Sequence, residues 1–302
     1  MNGLTKVLVL LAFGFTTLQG RTGAGDNMPN LVKKSNTIAW QSDYGAAMQR
    51  AQAEKKMLFV YFQPAVPSAN SIQFEQIALE DAAVRGELAK MVCLRTSLDT
   101  RIKVGDQEMR LVDHAAFGEL ERGAGAILLD FAHPGQDYYG YMVSALPFMP
   151  SKYYRFHPSH LSVMLHLPAG TITQRTLIFA VRIHPEAPAS TWGTNNPVLI
   201  AEAGSHSRYQ AQIRVQGHHF WDHRFQRLLG LLPRGLRARE VCAESWPNEK
   251  LVDAAVDCVD CWRQSSGHWS AVRASHPHFG YDMKKGNNGI WYATGVFGTN
   301  QD

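Results

Sequence analysis

Residues 261–269 read CWRQSSGHW, and this stretch decides how the second half of the chain folds. Trp262 follows Cys258 at helical spacing, which predicts a helix with both side chains on its buried face. Two serines and a glycine then form a polar end to that helix, directly before His268. No Gly-x-Ser-x-Gly sequence accompanies the serines. The stretch therefore predicts a turn that presents a histidine, and not the nucleophile of a serine hydrolase.

The N-terminus has the layout of an export signal. The sequence MNGLTKVLVLLAFGFTTLQG places Lys6 before the apolar run 7–15, with no acidic residue up to Gly20. The run is too short to span a bilayer as a permanent anchor. The alternative to an export signal is a buried N-terminal helix. We expect a signal peptide over residues 1–20. The mature protein is then exported to the periplasm, the cell envelope or the extracellular space, without a transmembrane anchor.

Composition sets broad limits on the protein. The chain has 302 residues, of which 45% are hydrophobic and 19% charged, with a formal net charge of +4. This length and apolar content can support two domains with real cores. The charge is small and spread along the chain, which favours a mixed, solvated surface over a nucleic-acid-binding face.

The four cysteines do not form a redox motif in the expected context. The sequence CVDC, 258–261, lies inside the predicted helix, whereas a reactive Cys-x-x-C needs a helix N-terminus to stabilise its thiolate. We therefore expect structural cysteines, with one disulfide that involves Cys242. The pairing among Cys242, Cys258 and Cys261 stays open.

The first half has the pattern of an α/β layer. An amphipathic helix, DYGAAMQRAQAEKK (43–56), precedes the buried-strand pattern MLFVYF (57–62), and a helical segment follows over about 71–90. Two further strands are predicted at MVCLRTS (91–97) and AILLDF (126–131). Helices that alternate with buried strands favour an α/β fold.

This layout resembles a thioredoxin-like domain over residues 36–148. That family carries a Cys-x-x-C where its first long strand meets the next helix. Here the corresponding segment, QPAVPSANSIQFE, has no cysteine. Cys93 lies inside a predicted strand, as a small buried side chain does. Without a dithiol, thiol–disulfide exchange is excluded for this half, which we expect to be non-redox.

Residues 149–194 are rich in proline and predict a connector between the two halves. One helical run, TITQRTLIFAVRIH (171–184), ends where Pro185 stops it. In the second half, Asn196 and Pro197 form a helix start for a segment that reaches about Val215. Residues 278–298, HFGYDMKKGNNGIWYATGVFG, predict a hairpin around a Gly/Asn turn.

The second half, 195–302, resembles the CAP superfamily of cysteine-rich secretory, antigen 5 and pathogenesis-related proteins. The segments that carry the resemblance are GHHFWDHRF (217–225), REVCAESWP (239–247), CWRQSSGHW (261–269), HFGYDM (278–283) and GIWYATGVFG (289–298). The resemblance implies an α-β-α sandwich. By position, His218, Glu244 and His268 match the cavity residues of that family, while Ser265 stands where larger members have a second glutamate.

The resemblance implies a His/Glu cleft, and three functions fit its chemistry. Two imidazoles and a carboxylate can bind a divalent metal such as Zn, exchange protons as an acid–base pair, or only hydrogen-bond to one another. The leading hypothesis is an exported two-domain binding protein of the cell envelope, not an enzyme, whose ligand is an unidentified lipid, envelope component or protein. The alternative is a metal-assisted, protease-like hydrolase that uses His218, Glu244 and His268.

Overall fold

The computed structural model describes residues 38–148 and 157–300, so the predicted signal peptide, 1–20, lies outside the described residues. The first of these parts is a mixed sheet with helices on both faces. Its elements are β1 (Trp40–Gln41), α1 (Tyr44–Glu54), β2 (Leu58–Gln63), α2 (Ala69–Gln73), α3 (Ala82–Leu88), β3 (Val92–Ser97), β4 (Arg101–Val104), β5 (Gln107–Arg110), β6 (Gly125–Leu129) and β7 (Met142–Pro147).

The first sheet has the strand order β1–β3–β2–β6–β7. The first three strands are parallel to one another, β6 runs antiparallel to β2, and β7 runs antiparallel to β6, in the same direction as the first three. The strands predicted from MLFVYF, MVCLRTS and AILLDF are confirmed as β2, β3 and β6. Their continuous apolar runs reflect burial on both faces, by α1 on one side and by α3 with later helices on the other.

The helix predicted over 71–90 is not one helix. A turn of π-helix, Phe74–Ala78, extends α2, and the chain then breaks before α3. Asp81 causes the restart, because its carboxylate accepts a hydrogen bond from the Val84 N–H at 2.9 Å and caps α3.

The second part of the structure surrounds a smaller sheet. Its elements are α4 (Ser159–Leu165), α5 (Ile172–Ile183), β8 (Thr194–Asn195), α6 (Pro197–Ile213), α7 (Trp221–Leu231), β9 (Leu236–Glu244), α8 (Leu251–Gln264), α9 (Ser266–Arg273), β10 (His278–Lys285) and β11 (Trp291–Asn300). The strand order is β8–β10–β11–β9, so β9 is an edge strand. The predicted hairpin is confirmed as β10 and β11, and the cap at Asn196 begins α6 as expected.

Helices cover both faces of this second sheet. Helices α6 and α7 pack on one face, where Leu199 and Leu228 meet Val296. Helices α8 and α9 pack on the other face, with Trp262 fully buried. The α6 backbone comes so close to β10 that a Cβ at Gly280 would lie 2.3 Å from Leu199 carbonyl carbon, so only glycine fits there. No helix within 38–148 or 157–300 combines the length and apolar character that crossing a bilayer requires.

The positions of the four cysteines explain why they do not form a disulfide. Cys93 is buried in β3 and its pKa is raised by burial to about 12, while Cys258 and Cys261 lie inside α8 as predicted. The disulfide expected at Cys242 is not present, and all four cysteines are free. Val241 and Ala243 face α8, and strand alternation turns Cys242 to the opposite face of the sheet, away from the other two thiols.

The proline-rich segment 149–194 contains the central helix of the molecule. Helix α5 packs against β7 of the first sheet and against α8 and β10 of the second part. Its Arg175 is 4% exposed, and the guanidinium donates to the carbonyl oxygens of Val143, Met164, Leu167 and Pro168 and to one serine hydroxyl. Burial lowers the pKa of Arg175 to about 10, so it stays charged at neutral pH.

Arg175→Ala should destabilise the protein by roughly 3 kcal/mol or more, because several buried carbonyl groups lose their donor. Urea unfolding followed by circular dichroism measures the loss. The matched control is Arg50→Ala, whose solvent-exposed ion pair with Glu54 should contribute little to stability. Equal effects of the two substitutions would contradict the central role of Arg175.

Candidate functional site

The structure brings His218 and His268 together at the free edge of β9. His218 lies in the loop between α6 and α7, and His268 lies in the first turn of α9, where Ser265 caps the helix. Their Nε2 atoms are 3.1 Å apart. Because α6 and α9 cover opposite faces of the sheet, the two imidazoles meet around its edge.

Glu244 does not join the two histidines. It is exposed at the end of β9, and the carboxylate beside His218 belongs to Glu240. Residues 240 and 244 point to the same face of the strand but lie roughly 13 Å apart along it, at about 3.3 Å per residue. The expectation that Glu244 lies beside His218 is wrong, because residue types do not show which of two glutamates on one face of a strand is nearer to the histidine.

Glu240 is the buried centre of a chain of charged groups. Its Oε1 accepts from His218 Nδ1 at 2.9 Å, and both its oxygens accept from Arg224. Arg224 also donates through Nε to Glu202 at 2.6 Å. Burial acts to raise the pKa of Glu240, but the hydrogen bonds from His218 and Arg224 outweigh it and hold that pKa below its usual range.

These contacts fix the tautomer of His218. An ionised Glu240 accepts the Nδ1 proton, so a neutral His218 presents the lone pair of Nε2 to His268. The pKa of His268 is lowered, first by burial and then by repulsion from a protonated His218 and from Arg239. When both rings are neutral, His268 donates its Nε2 proton to the Nε2 lone pair of His218. The carboxylate orients the His218 ring, so that its Nε2 lone pair can accept a hydrogen bond or bind a ligand.

A second group lies beneath the pair. His206, Glu240 and Cys242 are buried, and one ligand atom from each lies within 4.8 Å of the others, so this group could hold a metal ion. Sequence reasoning missed His206 and Glu240. The available signals were the buried stripe of α6, which includes Leu199, Ala203 and His206, and the alternation that puts Glu240 and Cys242 on one face of β9.

A cavity of about 410 Å³ opens beside this group. Its walls include Tyr209 and Phe220, whose ring centroids lie 5.7 Å apart, together with His219 and the ion pair of Arg227 with Glu202. Phe220 is 69% exposed and has left-handed backbone angles, φ 54° and ψ 29°. A bulky residue adopts these angles only at a cost, and such strain is concentrated at functional sites.

Comparison with known proteins gives this chain no assignment. No family model matches it, and no curated protein matches it in sequence. The function is therefore inferred from the site itself: the histidine pair, the buried group and the aromatic cavity.

Glu240→Gln should destabilise the protein by roughly 3 kcal/mol, because Arg224 then keeps a buried charge with only Glu202 to neutralise it. Unfolding in urea, with a chelator present throughout, measures the change. Glu244→Gln is the matched control, since it makes the same substitution on the same strand at an exposed position and should cost less than about 0.5 kcal/mol. A larger loss from Glu244→Gln would restore that residue as the structural carboxylate.

Proposed function

We propose that the protein is an exported two-domain binding protein of the cell envelope, in which a ligand occupies the cavity beside the histidine pair. The first half is proposed to be thioredoxin-like and non-redox, and the second half CAP-like. The alternating helices and strands of 38–148 support the first proposal, and the sheet covered by helices on both faces supports the second.

One observation carries the binding proposal: a strained, exposed phenylalanine forms, with Tyr209, the wall of a cavity whose remaining lining is polar and charged, with two arginines and one glutamate. Phe220 and Tyr209 offer apolar contact area, and the imidazoles of His219 and His223 with Arg227 supply hydrogen-bond donors at the rim. This combination suits a small amphipathic anion, with an apolar body against the aromatic rings and its charge at the rim.

The absence of a dithiol supports a binding role for the first half as well. Cys93 is buried in β3, and its thiol donates to the Leu88 carbonyl oxygen at 3.3 Å. Its raised pKa keeps it protonated and unreactive at neutral pH. The first half is therefore proposed to serve as a scaffold or an interaction surface, and not as an oxidoreductase.

The metal-assisted hydrolase has less support. The 3.1 Å between the two Nε2 atoms suits two nitrogen ligands of one cation, which favours this second candidate. Catalytic zinc normally has three protein ligands, however. Glu244 is remote, and the Glu240 carboxylate contacts the inner nitrogen of His218, Nδ1, and not the Nε2 that faces His268. The donor set on this surface does not fit a catalytic zinc site.

Decyl phosphate should bind to the wild-type protein, and Phe220→Ala should weaken binding about tenfold or more, because an aromatic side chain contributes roughly 1.5–3 kcal/mol of apolar burial. Isothermal titration calorimetry measures both affinities, with uncharged decyl maltoside as the probe for the charge requirement. Trp246→Ala, at an aromatic residue that is 62% exposed outside the cavity, is the matched control.

Three outcomes would count against this proposal. The first is a lack of binding by the wild-type protein, and the second is equal loss in Trp246→Ala and Phe220→Ala. The third is hydrolysis of casein by the wild-type protein that disappears in His268→Ala with the fold intact, since a binding protein has no turnover to lose. That third result would favour the hydrolase.

A further inference from the structure

Four side chains converge beneath the histidine pair, inside the second part of the structure. His206 comes from α6, His218 from the following loop, and Glu240 and Cys242 from one face of β9. The His206 and Glu240 side chains are 2% and 1% exposed, and Cys242 is 2% exposed. Two imidazoles, a carboxylate and a thiol are the ligand types that zinc selects in proteins.

The donor atoms already lie close to tetrahedral separations. Glu240 Oε1 is 2.9 Å from His218 Nδ1 and 3.9 Å from His206 Nε2, and Cys242 Sγ is 3.8 Å from His218 Nδ1. Ligands at zinc-bond lengths around a tetrahedral ion are about 3.3 to 3.6 Å apart. These three separations differ from the tetrahedral values by roughly half an ångström, and the ligand atoms of His206, Glu240 and Cys242 all lie within 4.8 Å of one another.

We propose that His206 Nε2, His218 Nδ1, Glu240 Oε1 and Cys242 Sγ form a buried structural site for one zinc-class divalent cation. This inference goes beyond the binding function proposed above and does not depend on it. The site is separate from the exposed Nε2 pair, because it uses the inward nitrogen of His218 and does not use His268.

The surrounding charges suit a bound cation. Arg224 holds the Glu240 carboxylate and is itself paired with Glu202, so the carboxylate is oriented and its second oxygen is satisfied. On binding, the Cys242 thiol loses its proton to solvent, and the thiolate and carboxylate together balance a divalent charge. A closed set of four protein ligands is typical of a structural zinc, not a catalytic one.

The two imidazoles each change tautomer on binding. His206 gives up its 2.8 Å contact with the Gly217 carbonyl oxygen through Nε2 and carries its proton on Nδ1. His218 moves its proton from Nδ1 to Nε2, where it donates to His268 Nε2, and the proton of His268 shifts from Nε2 to Nδ1 so that Nε2 can accept. The number of protons on the two imidazoles is unchanged, so the thiol supplies the only proton that is released.

Cobalt substitution tests the site on the unaltered full chain. The protein is purified without chelators, its zinc is measured by mass spectrometry, and it is then reloaded with Co²⁺. We expect one metal ion per chain and a near-ultraviolet thiolate-to-cobalt charge-transfer band, together with the visible spectrum of tetrahedral cobalt. Failure to bind stoichiometric metal, or a cobalt spectrum without the thiolate band, would overturn the proposal.

Single substitutions distinguish this site from adventitious binding and from the surface pair. Cys242→Ser and His206→Ala should each lower zinc affinity at least about 100-fold in a chelator competition, more than is usually lost when a residue that only hydrogen-bonds to a ligand is removed. Cys261→Ser, at the exposed thiol, is the matched control and should retain the metal, as should His268→Ala. Loss of metal in Cys261→Ser or His268→Ala, or its retention in Cys242→Ser, would assign the metal elsewhere. The cobalt spectrum is recorded on the wild-type protein, so the test is valid even if a substituted chain does not fold. A failure to bind decyl phosphate would count against the proposed binding function and not against the metal site.

Discussion

Burial of the Glu240 carboxylate is the constraint on which the site depends. An ionised carboxylate is costly to remove from water unless cations and donors surround it. Arg224 must therefore approach from α7, and Glu202 on α6 must in turn balance the second contact of that guanidinium. The remaining face of the carboxylate is met by His218, and the position of His218 determines where His268 finds a partner. Neutralising this one buried charge therefore links α6, α7 and β9, in addition to the apolar cluster that packs the two helices on the sheet.

The fold was predictable where local signals agree with the tertiary structure. The apolar runs of β2 and β3 are buried on both faces, the cap at Asn196 begins α6, and the Gly/Asn turn joins β10 to β11. In each case a pattern of a few neighbouring residues determines the local structure, so the element can be predicted without knowing which distant residues it contacts.

The site was predictable only in part, because its geometry depends on distant pairings. Nothing in the letters REVCAES says which glutamate faces the histidine, since this depends on how β9 aligns with β11 and how α7 packs over it. In the sequence His206 is not distinguishable from other polar residues of α6, and only the packing of that helix on the sheet places it next to Glu240. The same limit applies to the proline-rich segment, where composition indicates a connector although α5 packs between the two sheets. Arg175 shows why, because most of its partners are backbone carbonyl groups, which residue types do not reveal.

His218 has one ring nitrogen directed into the protein and the other directed to its surface. A neutral imidazole carries a single proton, so occupation of one nitrogen by a proton dictates a lone pair at the other. A ligand that binds the lone pair of the surface nitrogen, Nε2, therefore favours a proton on the inner nitrogen, Nδ1. A cation that binds the lone pair of Nδ1 favours a proton on Nε2 in the same way. The ring acts as a thermodynamic link between solvent and the buried Glu240, and coupling of this kind is reciprocal and requires no backbone movement. If a ligand at the surface and a cation in the interior both bind His218, each changes the affinity of the protein for the other by the same factor.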